Sequence, residues 1–221
     1  MPTLHLINHR LFSHARHYRW ALFFIAVCSA LTAYFANDIR QLLVGLFLLL
    51  VLSFFAYCLI LKSTVRYTLT SSHFQQHFSK GGWVVQWSNI SKIGVCQYQQ
   101  QGWYQSLPWI GIKLKDYSPY LDGICPRVAT EILLGQRALL YLGTQQKNNV
   151  AKFEDVVLDS HPYTDENGKV YTGLQAMLAN RMNYQRNYFD YDVFISTSDL
   201  DRPADEFVGL TRRYLAANQT R

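Results

Sequence analysis

Two long runs without a charged residue constrain this chain more than anything else in it. Trp20 to Ala36 (WALFFIAVCSALTAYFA) and Leu42 to Leu61 (LLVGLFLLLVLSFFAYCLIL) hold no Asp, Glu, Lys or Arg. As helices these 17 and 20 residues would extend ~26 and ~30 Å, close to the hydrocarbon thickness of a bilayer. Backbone inside that layer must satisfy its own hydrogen bonds, so both runs are expected to be helical. The residues between them, Asn37 to Gln41, include Asp38 and Arg40. A single continuous helix would place those charges near the bilayer centre, at several kcal/mol on lenient scales. Two helices joined by a short polar turn avoid that, so the expectation is a transmembrane hairpin over 20–62 with spans 20–36 and 42–61. No small-x-small site ends the first run, and a second run follows at once, which argues against a cleaved signal peptide.

Charge orients the hairpin. Residues 1–62 carry five basic side chains against one acidic, and the remainder carries sixteen against fourteen. The basic character belongs to the flanks of the apolar runs, so no basic face remains to support nucleic-acid binding. Arg10, Arg16 and Arg19 precede the first run, and Lys62 and Arg66 follow the second. The positive-inside rule then places both chain ends in the cytoplasm and residues 37–41 outside. Trp20 lies where an amphipathic ring favours the membrane interface. Residues 1–19 form a basic N-terminal segment in this reading, and 63–221 form the cytoplasmic part.

Past the tether Lys62 to Val65, the sequence alternates in the manner of strands. VRYTLTSSHFQQHF, WVVQW, NISKIGVCQY and WIGIKLK are read as a meander, with SKGG (Ser79–Gly82) as a turn. QQQGWYQSLP (Gln99–Pro108) is read as a loop, and Asp116–Pro126 as turn-rich. Arg127–Gly143 reads as one helix ended by Gly143. Val156–Gly173 reads as a strand followed by a hairpin turned at Asn167-Gly168. GLQAMLANRMNYQRNY reads as a helix and YDVFIS as a strand. The last helix follows Pro203, with Asp205 and Glu206 at its start and Phe207, Leu210, Tyr214 and Leu215 on one stripe.

Three stretches carry a resemblance. Tyr67-x-Leu69-Thr70, the Gly81-Gly82 turn, and Trp87-x-x-Ile90-x-x-Ile93 resemble bacterial pleckstrin-homology-like (PH-like) domains, and DVFISTSDLDRPADEFVGLTRRYL resembles their last strand and capping helix. GIKLKDY and DLDRP make the layout similar to an uncharacterised gammaproteobacterial membrane family. The fold class implied is α+β: a two-helix transmembrane hairpin, then a PH-like β-barrel or sandwich with a C-terminal capping helix and a helical insertion at 116–189. The location implied is the bacterial inner membrane. The family brings no established catalytic residues.

Candidate sites are read against simpler alternatives. His5, His9, His14 and His17 cluster before the first run, and His5/His9 have the i, i+4 spacing of a helical metal pair. The neighbouring arginines disfavour a cation and favour anionic headgroups instead. His73 and His77 fall on one face of a predicted strand. Asp155, Asp159, His161, Asp165 and Glu166 suggest a metal or acid/base group, yet YTDENG lacks the ligand order of a calcium loop. No phosphate loop, G-x-S-x-G or H-E-x-x-H occurs. The four cysteines, Cys28, Cys58, Cys96 and Cys125, form no C-x-x-C and are expected to be unpaired thiols. The membrane-interface set is Arg10, Arg16, Arg19, Trp20, Lys62, Arg66, Trp103 and Tyr104. The expected function is a membrane-anchored, non-catalytic interaction or scaffold protein. It takes no cofactor or metal, and its partners are the bilayer and another protein or a second copy. The alternatives are an enzyme or regulator with its site in 116–189, or headgroup binding by the PH-like domain.

Overall fold

The computed structural model describes residues 1–8, 15–100, 102–146 and 153–219, with backbone only at 15–18 and 99–100. The chain divides into two compact units: Met1–Asn8 with Val65–Arg221, and His9–Thr64.

The smaller unit holds α1 (Ala15–Phe35) and α2 (Ile39–Ser63). The break between them is tighter than the sequence suggests. Asp38 is the N-cap of α2, its carboxylate accepting from the Ile39 N–H at 2.7 Å, so Arg40 and Gln41 already belong to the helix. The Gln41 side chain reaches back to the Asn37 N–H at 3.2 Å. Thr32 of α1 packs against Gly45 of α2. Among the described residues α2 is the one helix long and apolar enough to cross a membrane by length and composition; the apolar part of α1 is the shorter Arg19–Phe35.

The larger unit is a mixed α+β structure built on two antiparallel sheets. The first has the order β1-β2-β3-β4: β1 (Leu4–Ile7), β2 (Arg66–Leu69), β3 (His73–Phe78) and β4 (Gly81–Gln86). The second has the order β5-β6-β9: β5 (Ile90–Gln100), β6 (Trp103–Leu114) and β9 (Val193–Ser196). The N-terminal segment is therefore a sheet strand and more than a basic flank. Leu4 pairs with Leu69 and Ile7 with Arg66. Alternation places Leu6, Tyr67, Leu69, Phe74, Trp83 and Val85 inward. The C-terminal helix α8 (Ala204–Gln219) lays Phe207, Val208, Thr211, Tyr214 and Leu215 on this core. Phe74 is its hub, stacked on Trp87 at 5.6 Å and edge-on to Trp83 at 5.4 Å. The buried Trp87 indole donates to the Thr70 carbonyl at 2.9 Å, so its polar atom is satisfied.

Among the described residues between β6 and β9 lie five helices and a small hairpin: α3 (Ser118–Gly123), α4 (Pro126–Gly135), α5 (Arg137–Gln146), α6 (Phe153–Val157), β7 (Tyr163–Thr164), β8 (Val170–Tyr171) and α7 (Gly173–Phe189). Several expectations change here. The turn-rich 116–126 contains α3. The single helix expected over 127–143 is split at Gly135, where the Gln136 N–H still reaches the Ile132 carbonyl. Gly143 does not end a helix. It is buried within α5, where the Tyr188 ring occupies the space a side chain would need. The apolar pair Val156-Val157 is helical, with Glu154 and Asp155 in the first turn of α6. The hairpin at Asn167-Gly168 forms as expected, with Gly168 at φ +81°. The loop expected at 99–108 is instead the continuation of β5 and β6, so that Gln97 pairs with Ser106 and Gln100 with Trp103.

Candidate functional site

The membrane-interface residues come first. Arg10 lies outside the described residues, and Arg16 stands in α1 with its side chain undescribed. Arg19 and Trp20 are exposed on α1, with Trp20 edge-on to Phe23 at 6.0 Å. Lys62 is in the last turn of α2 and Arg66 opens β2, both exposed. α2 buries no residue at all: Phe47, Leu50, Phe54 and roughly ten further large apolar side chains are exposed. Each would contribute ~1.5–3 kcal/mol on leaving water. The total exceeds the ~5–15 kcal/mol that holds an ordinary fold together. α2 therefore presents an apolar surface that an apolar environment would cover.

The two ends of the apolar excursion are joined inside the larger unit. The Asn8 N–H donates to the Val65 carbonyl at 3.1 Å, and the Asn8 side-chain oxygen accepts from the Val65 N–H at 3.0 Å. Strands β1 and β2, which flank the excursion in sequence, are neighbours in one sheet. Sequence reasoning missed this because LHLI is only four residues long and resembles a membrane flank.

Trp103 and Tyr104 are 82% and 68% exposed at the start of β6. β9 pairs with Trp109–Ile112, so Gln97–Gln100 and Trp103–Ser106 form a two-stranded ribbon beyond the third strand. No charged residue occurs from Val95 to Ile112. Exposed strand pairs ordinarily carry charges that discourage unwanted pairing, and this ribbon has none.

The histidines separate. His5 lies on a strand and not on a helix, with Nδ1 3.2 Å from the Thr68 hydroxyl; His9 and His14 fall outside the described residues, and the His17 side chain is undescribed. His73 and His77 share the outer face of β3, as expected, and His77 Nε2 lies 3.3 Å from the same Thr68 hydroxyl. Desolvation, then Arg66 and His5, lower the pKa of His77 below the ordinary imidazole value.

The acidic candidates of the insertion are also dispersed. Asp155 lies in α6. Asp159 is bound by the His161 ring at 2.7 Å and the Tyr184 hydroxyl at 2.9 Å. Partial burial raises its pKa, but the bonds from His161 and Tyr184 outweigh that and hold it below the ordinary value. Asp165 accepts from Ser118, Asn167 and Lys169 and so fixes the β7–β8 turn. Asp165 and Glu166 line a cleft of about 130 Å³ with Lys115, Asp116, Tyr163 and Arg186, which includes neither Asp159 nor His161. Among the described residues no three His, Cys, Asp or Glu side chains are placed to hold a metal. The four cysteines are free, and burial pushes the Cys96 thiol up to about 12.

Two buried polar groups escaped the sequence reading. Asp192, 2% exposed, accepts from the Leu114 N–H and the Tyr117 hydroxyl at 2.7 Å and twice from Arg186 at 2.6 Å. The Arg186 guanidinium also stacks 4.7 Å from the Tyr117 ring centre and donates to the Leu114 carbonyl. One acid in the apolar YDVFIS was the available signal. Arg181, equally buried, donates to the Val157 carbonyl at 3.0 Å and the Leu133 carbonyl at 3.4 Å, at the C-terminal ends of α6 and α4. Desolvation, with Arg137 nearby, lowers its pKa to about 10. The Asp192 network ties the insertion to β6, and the Arg181 bonds tie α7 to α4 and α6 within the insertion.

No curated protein and no solved structure matches the chain. A family model does, and it covers residues 67–217, so that β1, α1 and α2 precede the matched region. The chain belongs to the DUF2982 family, described as proteins of unknown function.

Proposed function

We propose that this chain is a membrane-anchored, non-catalytic interaction or scaffold protein. In this reading α1 and α2 cross the bacterial inner membrane as a hairpin, and the larger unit is a PH-like domain on the cytoplasmic side. The observation that carries it is the pairing of β1 with β2 around an unburied apolar excursion. A folded polar sheet stays on one side of a bilayer, so the chain between two of its adjacent strands crosses an even number of times. If α2 crosses once, α1 is the segment left to return. Its 17-residue apolar part would run ~26 Å, within reach of the hydrocarbon layer with modest thinning. Arg10, Arg16, Arg19, Lys62 and Arg66 then favour the cytoplasm for the domain.

The PH-like reading is supported by the strand inventory. The β2-β3-β4 meander with β1 beside it, a three-stranded sheet and a C-terminal helix packed on the core are in keeping with that plan, with β1 supplied from before the hairpin and the insertion placed before the last strand. Such folds commonly display surfaces to partners, an argument by analogy of fold. The uncharged ribbon ending in Trp103 and Tyr104 has the chemistry of a membrane-interface contact. The enzyme or regulator alternative draws less support, because Asp159 and His161 do not meet Asp165 and Glu166 in one cleft.

Single cysteines at Thr3, Asn37 and Gln219, labelled from each side of sealed vesicles, test the topology. Thr3 and Gln219 should react from one side and Asn37 from the other. Labelling of all three from one side would overturn the hairpin. Brominated lipids test the ribbon in a Trp20→Phe background: quenching of tryptophan emission should fall when Trp103 becomes Ser, and unchanged quenching would remove the ribbon from the interface.

A further inference from the structure

We propose that the outer face of the four-stranded sheet rests on anionic lipid headgroups, with Arg66 and His77 as its phosphate-facing side chains. This rests on the anchoring reading above. The register fixes the membership of the face. One row across the sheet is His5, Thr68, Gln75 and Val84; the next is Ile7, Arg66, His77 and Gly82; His73 and Gln86 form a third. These positions hold one arginine and three histidines and not one carboxylate.

Elsewhere in the larger unit several cations are answered by acids, Lys80 by Glu131, Lys92 and Lys113 by Asp190, Lys169 by Asp122, and Arg186 by Asp192, while Arg181 and Arg212 donate to backbone carbonyls. Arg66 has no carboxylate partner among the described residues, and its side chain is exposed. Ile7 and Val84, on the same face, are 44% and 43% exposed, so the surface joins aliphatic and cationic groups as an interfacial contact requires. The row of Ile7, Arg66 and His77 lies at the sheet end where the chain departs for α1 and returns from α2. Arg66 follows Ser63, the last residue of α2, by three positions. Three residues reach at most ~10 Å. That is about one Debye length, within which the potential of an anionic surface still acts.

Acid should tighten the contact. The charged groups facing His77 are Arg66 and His5 from the neighbouring strands; β4 presents only Gly82 and Val84 to it. Both neighbours are basic and disfavour its proton, whereas a phosphate would favour it. Protonation and headgroup contact therefore reinforce each other.

The test uses the full chain in lipid nanodiscs, with Cys28, Cys58 and Cys125 changed to Ser and a fluorophore on Gln75→Cys. Nitroxide-headgroup lipid is the quencher. Discs contain phosphatidylcholine alone or with phosphatidylglycerol, at about pH 5 and about pH 8. A label on Glu166→Cys is the control, and emission of the buried Trp83 and Trp87 reports folding. Quenching at Gln75 should need the anionic lipid, strengthen at the lower pH, and exceed that at Glu166. Arg66→Gln should weaken the contact about fivefold, the effect of one surface charge, and His77→Gln should reduce the pH dependence, with His5 and His73 left on the face. If the chain enters the discs and Gln75 is quenched no more than Glu166, or equally without anionic lipid, the face does not bind headgroups and the anchor stands. If the chain does not enter the discs, the anchoring reading and this one fall together.

Discussion

At the scale of single residues, the larger unit depends on a few positions with no tolerance. Gly94 and Gly111 are register partners on β5 and β6, and Tyr191 lies across both. A methyl at Gly111 would enter the Tyr191 ring, so Gly111→Ala should cost about 1–3 kcal/mol and lower the melting temperature in detergent. Asp192 is more severe. Removing it leaves Arg186, the Tyr117 hydroxyl and a buried N–H without their acceptor. Asp192→Ala should lose about 3–5 kcal/mol, read by denaturation followed through Trp83 and Trp87. His77 gives a pH dependence of definite sign. Its folded pKa is below the unfolded one, so the unfolded chain binds more protons in the window beneath the ordinary imidazole value. Stability in detergent should fall as pH drops through that window, and His77→Gln should flatten the slope.

At the scale of elements, α2 is the clearest case. Its exposed apolar surface predicts that Val51→Arg, near its middle, lowers insertion by about 2.5–3.5 kcal/mol. The measurement is the share of protein resisting alkaline extraction from membranes, which should drop sharply. The apolar runs, the strands from Arg66 to Leu114, α7, β9 and α8 were legible because each buries or exposes a simple periodic pattern. Elements defined by their neighbours were not. β1 is a strand only because β2 offers it an edge, and FEDVV is a helix although its valines suit a strand. The ribbon was read as a loop because glutamines and Gly102 look like a turn, whereas cross-strand pairing extends almost to the tip. Of the candidate site, the exposure of Trp103, Tyr104 and Arg66 followed from sequence. The outer face of the first sheet did not, because its rows combine residues more than sixty positions apart.

For the whole molecule, sheet partners lie far apart in sequence at two places, β6 beside β9 across the insertion and β1 beside β2 across the apolar helices. Leu4 finds its partner at Leu69, and both apolar helices, α1 and α2, lie between them in sequence. During synthesis the first strand emerges long before the second exists. In the anchoring reading proposed above, it waits unpaired while α1 and α2 are made and enter the bilayer. On that reading the sheet can be finished only if the chain comes back to the side it left. A helix threaded the wrong way would strand β1 across the bilayer and leave β2 with a bare edge, exposing Leu69 and Tyr67 beside it. Under that reading completion of the domain would be a check on insertion, and mis-threaded copies should present an unfinished edge to cellular proteases while correctly threaded ones do not.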